Sequence, residues 1–337
     1  MKTTVLTSAA VGAITLALIT GCSAKSASHG PAPEAGTKKY KIIDISGPVS
    51  DPFFGAFKQG SDAAAKDLGV DYEYSASRDY TDVVPTYQRL TEAAIGRKPD
   101  ALVIGDYFPD TLEPLIKQAV AAGIPVFVTN SGRDSWQKLG ALGFVGENPS
   151  QMGSDAGEFA VKAGATNALC VNHLAGNPVL EQRCNGFLHV VQAAGGKGKT
   201  LTVPTEDASD DAKVRQDIAG ALNADKSIDS VFTLGSSVAT DAVSAAQQAG
   251  RGGSVKVGTV DVSTNVLNQV KSGQLLFAVD QQPYLQGYYG VLMAYQWLEY
   301  GLHPAGAIDS GPLMITKDNV DRVLQVQTEH RGARGAS

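Results

Sequence analysis

From residue 41 to about residue 300, short apolar runs alternate with longer stretches whose apolar positions recur every three or four residues. The short runs are rich in Val, Ile, Leu and Phe, as expected of strands buried on both faces of a parallel sheet. They predict ten strands, at 41–46, 71–75, 101–105, 125–130, 142–146, 168–173, 199–204, 230–234, 255–260 and 275–280. The longer stretches predict helices at 54–68, 83–96, 111–122, 150–163, 179–193, 211–223, 237–248, 264–272 and 284–300. In the first helix Phe54, Phe57, Ala64 and Leu68 fall near one face, and Gly69, Gly123 and Gly273 stand where helices should stop. A strand and a helix alternate about nine times, which makes the class doubly wound α/β. Ten strands are many for one open sheet, and 337 residues suit about two domains. Two five-stranded lobes are therefore expected, the first ending near Glu147 and the second starting near Asn148. Pattern alone does not assign the helix at 284–300 to either lobe.

In open α/β sheets ligands gather at the carboxyl ends of the strands. Those ends hold Asp51, Phe53 and Phe54 after the first strand, Asp106 after the third and Asn130 after the fourth. In the second half they hold Asn177, Ser236, Asp261 and Gln281, with Arg183 in the helix that follows residues 168–173. Carboxylates accept hydroxyl protons, arginine donates several bonds from a fixed fork, and aromatic faces stack on C–H faces. The set suits a polyhydroxylated ligand. Blander roles stay open at single positions. Asp51 before Pro52 is a good helix N-cap, and Asp261 before Ser263 and Thr264 is another candidate. The phenylalanines suit a core, and Arg183 suits an ion pair with Glu181 or another carboxylate. No nucleophile elbow, His-Glu-x-x-His or phosphate loop occurs, which weighs against an enzyme and names no cofactor. A two-carboxylate glycosidase using Asp51 and Asp261 is the enzyme reading that remains, with nothing marking a general acid.

Over residues 40–325 the chain resembles the periplasmic sugar-binding proteins of the ribose-binding type. The motifs that carry the resemblance are Asp51-Pro-Phe-Phe54, Pro125-Val-Phe-Val-Thr-Asn130, Gly146-Glu-Asn-Pro-Ser-Gln-Met-Gly153, Arg183-Cys-Asn-Gly-Phe187, Val257-Gly-Thr-Val-Asp261 and Gln281-Gln-Pro283. The resemblance implies a type I fold of two lobes joined by a three-strand hinge, crossing near Glu147, Gln281 and 310–313. It implies a first lobe of 38–147 plus 282–310, a second of 148–281 plus 311–327, and a loose tail at 328–337. By the same likeness Phe53 and Phe54 would flank a sugar, while Asp51, Asn130, Arg183, Asp261 and Gln281 would bond its hydroxyls. Asp106, Asn177 and Ser236 are further candidate contacts. Arg183→Ala should then abolish binding and leave folding intact. The implied role is the binding component of an ABC importer, a monomer that closes on a small sugar or polyol and docks on a membrane permease. A receptor for a sugar-like signal molecule shares the fold. Two departures bear on the ligand: Asn130-Ser131 stands where pentose and hexose binders often carry Asp-Arg, and Gly235-Ser236 where they often carry Asn-Asp. A smaller polyol, another pentose or a sugar derivative is therefore open.

The N-terminus adds a location. Lys2, an apolar run from Val5 to Ile19 and then Gly21-Cys22 follow the order of an export signal. The run is short of the roughly 20 residues that span a bilayer. With its cysteine after small residues, the segment resembles a bacterial lipoprotein signal, which implies cleavage after residue 21, lipid on Cys22 and a site of action outside the cytoplasmic membrane. Residues 22–37 are small and polar and read as a tether. Cys170 and Cys184 then form an even pair in an exported chain, one in a strand and one in the helix packed on it. A disulfide is expected, two buried thiols being the alternative. No metal-ligand spacing accompanies them. Net charge is −6, with no basic stripe, which argues against nucleic acid.

Overall fold

Among the described residues, five of the ten main helices start on a proline, at Pro52, Pro109, Pro149, Pro178 and Pro283. Proline suits that position because its missing N–H would have no partner there, and its φ is already helical. The computed structural model describes residues 39–330 and 332–334. The expected signal segment, the tether and Cys22 lie outside the described residues. Within them the chain forms two sheets, one parallel and one parallel but for a single edge pairing, each covered by helices on both faces.

The first sheet contains β1 (Lys41–Ile45), β2 (Asp71–Ser75), β3 (Ala101–Ile104), β4 (Val126–Asn130), β5 (Gly143–Gly146) and β11 (Ile308–Asp309), in the order β11-β5-β4-β3-β1-β2. The second contains β6 (Asn167–Asn172), β7 (Lys197–Thr202), β8 (Ser230–Thr233), β9 (Lys256–Val260), β10 (Phe277–Asp280) and β12 (Leu313–Ile315), in the order β12-β10-β9-β8-β6-β7. All pairings are parallel except β10 with β12. Each sheet thus has six strands rather than five. The extra ones, β11 and β12, are two and three residues long, too short to show a periodicity.

The helices are α1 (Pro52–Leu68), α2 (Val83–Arg97), α3 (Pro109–Ala121), α4 (Pro149–Lys162), α5 (Pro178–Ala193), α6 (Asp211–Ala224), α7 (Ser236–Gln248), α8 (Thr264–Ser272), α9 (Pro283–Tyr300) and α10 (Val320–Glu329). The chain passes between the sheets three times, after β5, after β10 and between β11 and β12. This is the two-lobed, three-strand-hinge arrangement that the resemblance implied. Helix α9 packs against α1 and the first sheet. Its approach to α1 is set by glycines: a Cβ on Gly60 would lie 1.9 Å from the Tyr284 carbonyl oxygen, and one on Gly287 2.0 Å from that of Phe57. Helices α4 and α5 meet in the same way, a Cβ on Gly153 falling 2.1 Å from the carbonyl oxygen of Arg183.

The expected disulfide is present, Cys170 of β6 joined to Cys184 of α5. The end of the chain departs from expectation. Helix α10 runs to Glu329, and beyond it the Arg334 guanidinium pairs with Asp280, whose carboxylate is fully buried at the end of β10. Among the described residues the segment from 328 is therefore tied down rather than loose, because that buried carboxylate needs a cation.

Candidate functional site

The carboxyl ends of β1, β4, β6 and β9 converge on one cleft between the lobes. Asp51 sits in the loop after β1 with extended backbone. Its Oδ1 accepts from the Phe53 amide at 2.9 Å, so it does cap α1, while its Oδ2 accepts from the Tyr80 hydroxyl at 2.5 Å. Capping and cavity roles coexist because a carboxylate has two oxygens. The cap sends the next residues into the cleft wall, where the Phe53 and Phe54 rings meet edge-to-face at 4.9 Å. Phe54 also meets Tyr107, at 5.9 Å. Gly47 is required beneath Phe54, since a Cβ there would lie 1.9 Å from the ring.

A chain of buried polar groups crosses the floor. Arg183, brought in by α5, donates to one oxygen of Glu147 from Nε at 3.1 Å and from Nη2 at 2.8 Å. The same Nη2 donates to Gln281 Oε1 at 2.8 Å. Gln281 in turn donates to Asp261 Oδ1 at 2.5 Å. Asn130 Nδ2 donates to Gln286 at 3.0 Å, and Gln286 donates to Ser310 at 2.9 Å. Asn130 and Asp261 both have left-handed backbone, φ 62° and 71°. Asn and Asp are the non-glycine residues that tolerate it best, and such outliers concentrate at functional sites. Asp261 does not cap α8, because Ser263 does, accepting from the Val266 amide at 3.2 Å.

Part of this chain of groups bounds a cavity of about 50 Å³. Asp51, Phe53, Phe54, Asn130, Asn177, Arg183, Asp261 and Gln281 all line it. The Asn177 side-chain oxygen is engaged in capping α5, where it accepts from the Val179 amide at 2.9 Å. Two candidates fall elsewhere. The Asp106 carboxylate is turned to the other side of the β3 exit, where Oδ2 accepts from Ser135 at 2.7 Å, and its neighbour Tyr107 faces the cavity instead. Alternation along the strand end sends one of the two inward and the other away. Ser236 lines an adjoining recess. The sequence reading missed Tyr80 in the loop after β2 and Tyr87 on α2; His173, just after β6, lines the cavity as well. The strand-end rule applied to β2 would have found Tyr80.

Burial dominates the electrostatics. It pushes Asp261 up from 3.8 to about 7, with Arg183 pulling the other way. It also raises Asp51 and, against the pull of Arg183, Glu147. His173 is pushed down to about 4, chiefly by burial and further by Arg183, so its ring is neutral at pH 7. Arg183 is already neutralised by Glu147, and the remaining charged groups of the wall are carboxylates. The cavity can bond hydroxyls from both lobes, and it offers an anion no free cation. Among the described residues no cluster of three or more His, Cys, Asp or Glu side chains is placed to hold a metal ion.

Residues 45–301 match the profile of the periplasmic binding protein domain. The chain is 28% identical over 294 residues to the D-ribose/D-allose-binding protein of Pseudomonas aeruginosa, covering 83% of this chain and 89% of that one. It is 25% identical over 315 residues to the xylose/arabinose-binding protein of Sulfolobus acidocaldarius, covering 88% and 75%. A crystal structure of a carbohydrate transporter from Acidothermus cellulolyticus 11B, in complex with myo-inositol, superimposes with a TM-score of 0.80 at 35% identity, covering 88% of this chain and all of that one.

Proposed function

This chain belongs to the periplasmic binding protein family, among the sugar-binding proteins of ABC importers, and on that premise we propose that it binds a neutral, ring-shaped, polyhydroxylated ligand, with a cyclic polyol such as myo-inositol the first candidate. The observation that carries the reading is the cavity itself. Asp51 and Asn130 from one lobe and Arg183 and Asp261 from the other face one small space beside a phenylalanine pair. The likeness to the myo-inositol complex supports the polyol, and the relatives that bind ribose, allose, xylose or arabinose support the wider class.

The mechanism is closure. A ligand bonded to both lobes stabilises the closed form over the open one, and the hinge strands absorb the rotation. No bond in the ligand is made or broken. The closed monomer presents a surface to a membrane permease, and lipid on Cys22 keeps it beside that permease. Charge supports a neutral ligand, because a sugar acid or phosphate would meet Asp51, Asp261 and an arginine already paired.

The test is a thermal-shift screen of residues 39–337, refolded from denaturant to strip bound solute, against cyclic polyols, pentoses, hexoses and sugar acids. A ligand at a thousandfold excess over its Kd should add about 4 kcal/mol of stability. The reading requires a large shift for a neutral ring compound and none for the acids. No shift with any neutral sugar or polyol overturns it.

A further inference from the structure

Beside the cavity, beyond three of its wall residues, lies a second recess of about 300 Å³. Asp51, Tyr80 and His173 line both spaces and so form the partition between them. The partition is built from both lobes. Tyr80 stands in the loop between β2 and α2, its hydroxyl bonded to Asp51 at 2.5 Å. Its ring meets the His173 imidazole edge-to-face, with centroids 6.4 Å apart and planes at 84°. His173 follows β6 and rests on Gly235, where a Cβ would lie 3.2 Å from the imidazole Cε1. Tyr80 is thus held by one hydrogen bond in its own lobe and one ring contact across the cleft.

We infer that Tyr80 is the size-selecting residue of this site: its ring limits the inner cavity to a single-ring ligand, and the recess behind it fits a second, neutral sugar ring joined to the first. The inference rests on the polyol- or sugar-binding reading above. The chemistry of the recess sets the class of substituent. Its lining carries Asp51, Asp79 and Asp211 with serine hydroxyls from Ser50, Ser209 and Ser236, and neither lysine nor arginine. Carboxylates accept hydroxyl protons and serines both donate and accept, so a glycosyl group finds partners there. A phosphate or carboxylate meets like charge. Tyr80→Phe keeps the ring and removes only the bond to Asp51. Tyr80→Ala removes the partition.

Calorimetric titration of the chain from residue 22 onward distinguishes the cases. The probes are myo-inositol, D-ribose and D-glucose, each beside its O-galactosyl derivative, with myo-inositol monophosphate as the anionic arm. The wild type should prefer the free ring over its galactosyl form by about a hundredfold or more. Tyr80→Phe should keep that preference, and Tyr80→Ala should reduce it to within about tenfold. None of the three should take the phosphate. A wild type that binds both forms equally overturns the inference. So does a Tyr80→Ala protein that binds the free ring with the preference intact, or a folded one that binds nothing, since Tyr80 would then be a ligand contact. Loss of the preference in Tyr80→Phe would assign selection to the hydroxyl and also overturn it. If the wild type binds none of the three free rings, the functional reading fails first and takes this inference with it.

Discussion

Removing Arg183 should cost this protein stability before it costs binding. Arg183 is 3% exposed and the Glu147 side chain not at all. Both hydrogen bonds to the carboxylate of Glu147 come from that guanidinium, at 3.1 and 2.8 Å, and Glu147 Oε2 has no partner among the described residues. Arg183→Ala leaves a buried carboxylate without its hydrogen-bonded cation, and Gln281 Oε1 loses the donor at 2.8 Å. Breaking a buried pair from one side typically costs about 3–5 kcal/mol. Against a total of about 5–15 kcal/mol for a domain, that is a large fraction. The expectation that Arg183→Ala spares folding therefore does not hold once Glu147 is seen beneath it. Urea denaturation of the ligand-free Arg183→Ala, Glu147→Gln and double variants measures this as a cycle. Arg183→Ala should lose about 3–5 kcal/mol. Glu147→Gln should lose less, about 1–3 kcal/mol, since the amide can still accept from Arg183. The double variant should cost at least about 1 kcal/mol less than the sum of the two. An Arg183→Ala protein within about 1 kcal/mol of wild type, or a strictly additive cycle, would refute the reasoning.

Acidity offers a second handle. With Asp261 raised from 3.8 to about 7, the folded chain keeps a proton there that the unfolded chain has released, so its contribution to stability is full below pH 3.8 and lost as pH rises through about 7. His173, lowered from 6.5 to about 4, contributes in the opposite sense, its share being present above pH 6.5 and lost as pH falls through about 4. Thermal melts of Asp261→Asn across this window should show wild-type stability changing by a few kcal/mol relative to the variant, about 1.4 per pH unit; parallel profiles would dismiss it. Cutting the Cys170–Cys184 link, which closes a loop of sequence separation 14, should cost about 3 kcal/mol, read as a lower urea midpoint for Cys170→Ala/Cys184→Ala. Gly153→Ala places a Cβ 2.1 Å from the Arg183 carbonyl oxygen, so it should push α4 and α5 apart, cost about 1–3 kcal/mol and weaken ligand binding; a neutral effect on both would show that this helix contact yields freely.

Much of the fold was legible because buried parallel strands and amphipathic helices each leave a period in the sequence. The nine expected helices and ten expected strands all form. What escaped is short or polar. Strands β11 and β12 have too few residues to carry a pattern, and α10 mixes Val320 and Val323 with Asp321, Arg322, Gln325 and Gln327. The site was legible wherever a helix cap fixed the geometry locally, as at Asp51-Pro52 and Asn177-Pro178. It failed at Asp106, where one residue of phase decides whether a strand-end side chain turns inward. Tyr80 and His173 could not be paired in advance, because they come from different lobes and only the approach of those lobes makes them neighbours.

Asn130 and Asp261 occupy corresponding places. One ends β4 and the other follows β9, strands that hold the same position in two sheets of the same order. Asp51-Pro52 and Asn177-Pro178 correspond likewise, after β1 and β6. The cleft is therefore one half-site written twice, with its palettes exchanged. Where the first lobe presents a carboxylate the second presents an amide, and where the first presents an amide the second presents a carboxylate. The repeat is one of backbone outline only: the phenylalanine pair stands on the first half and Arg183 on the second, so two copies of one frame have come to present unlike faces to a single space.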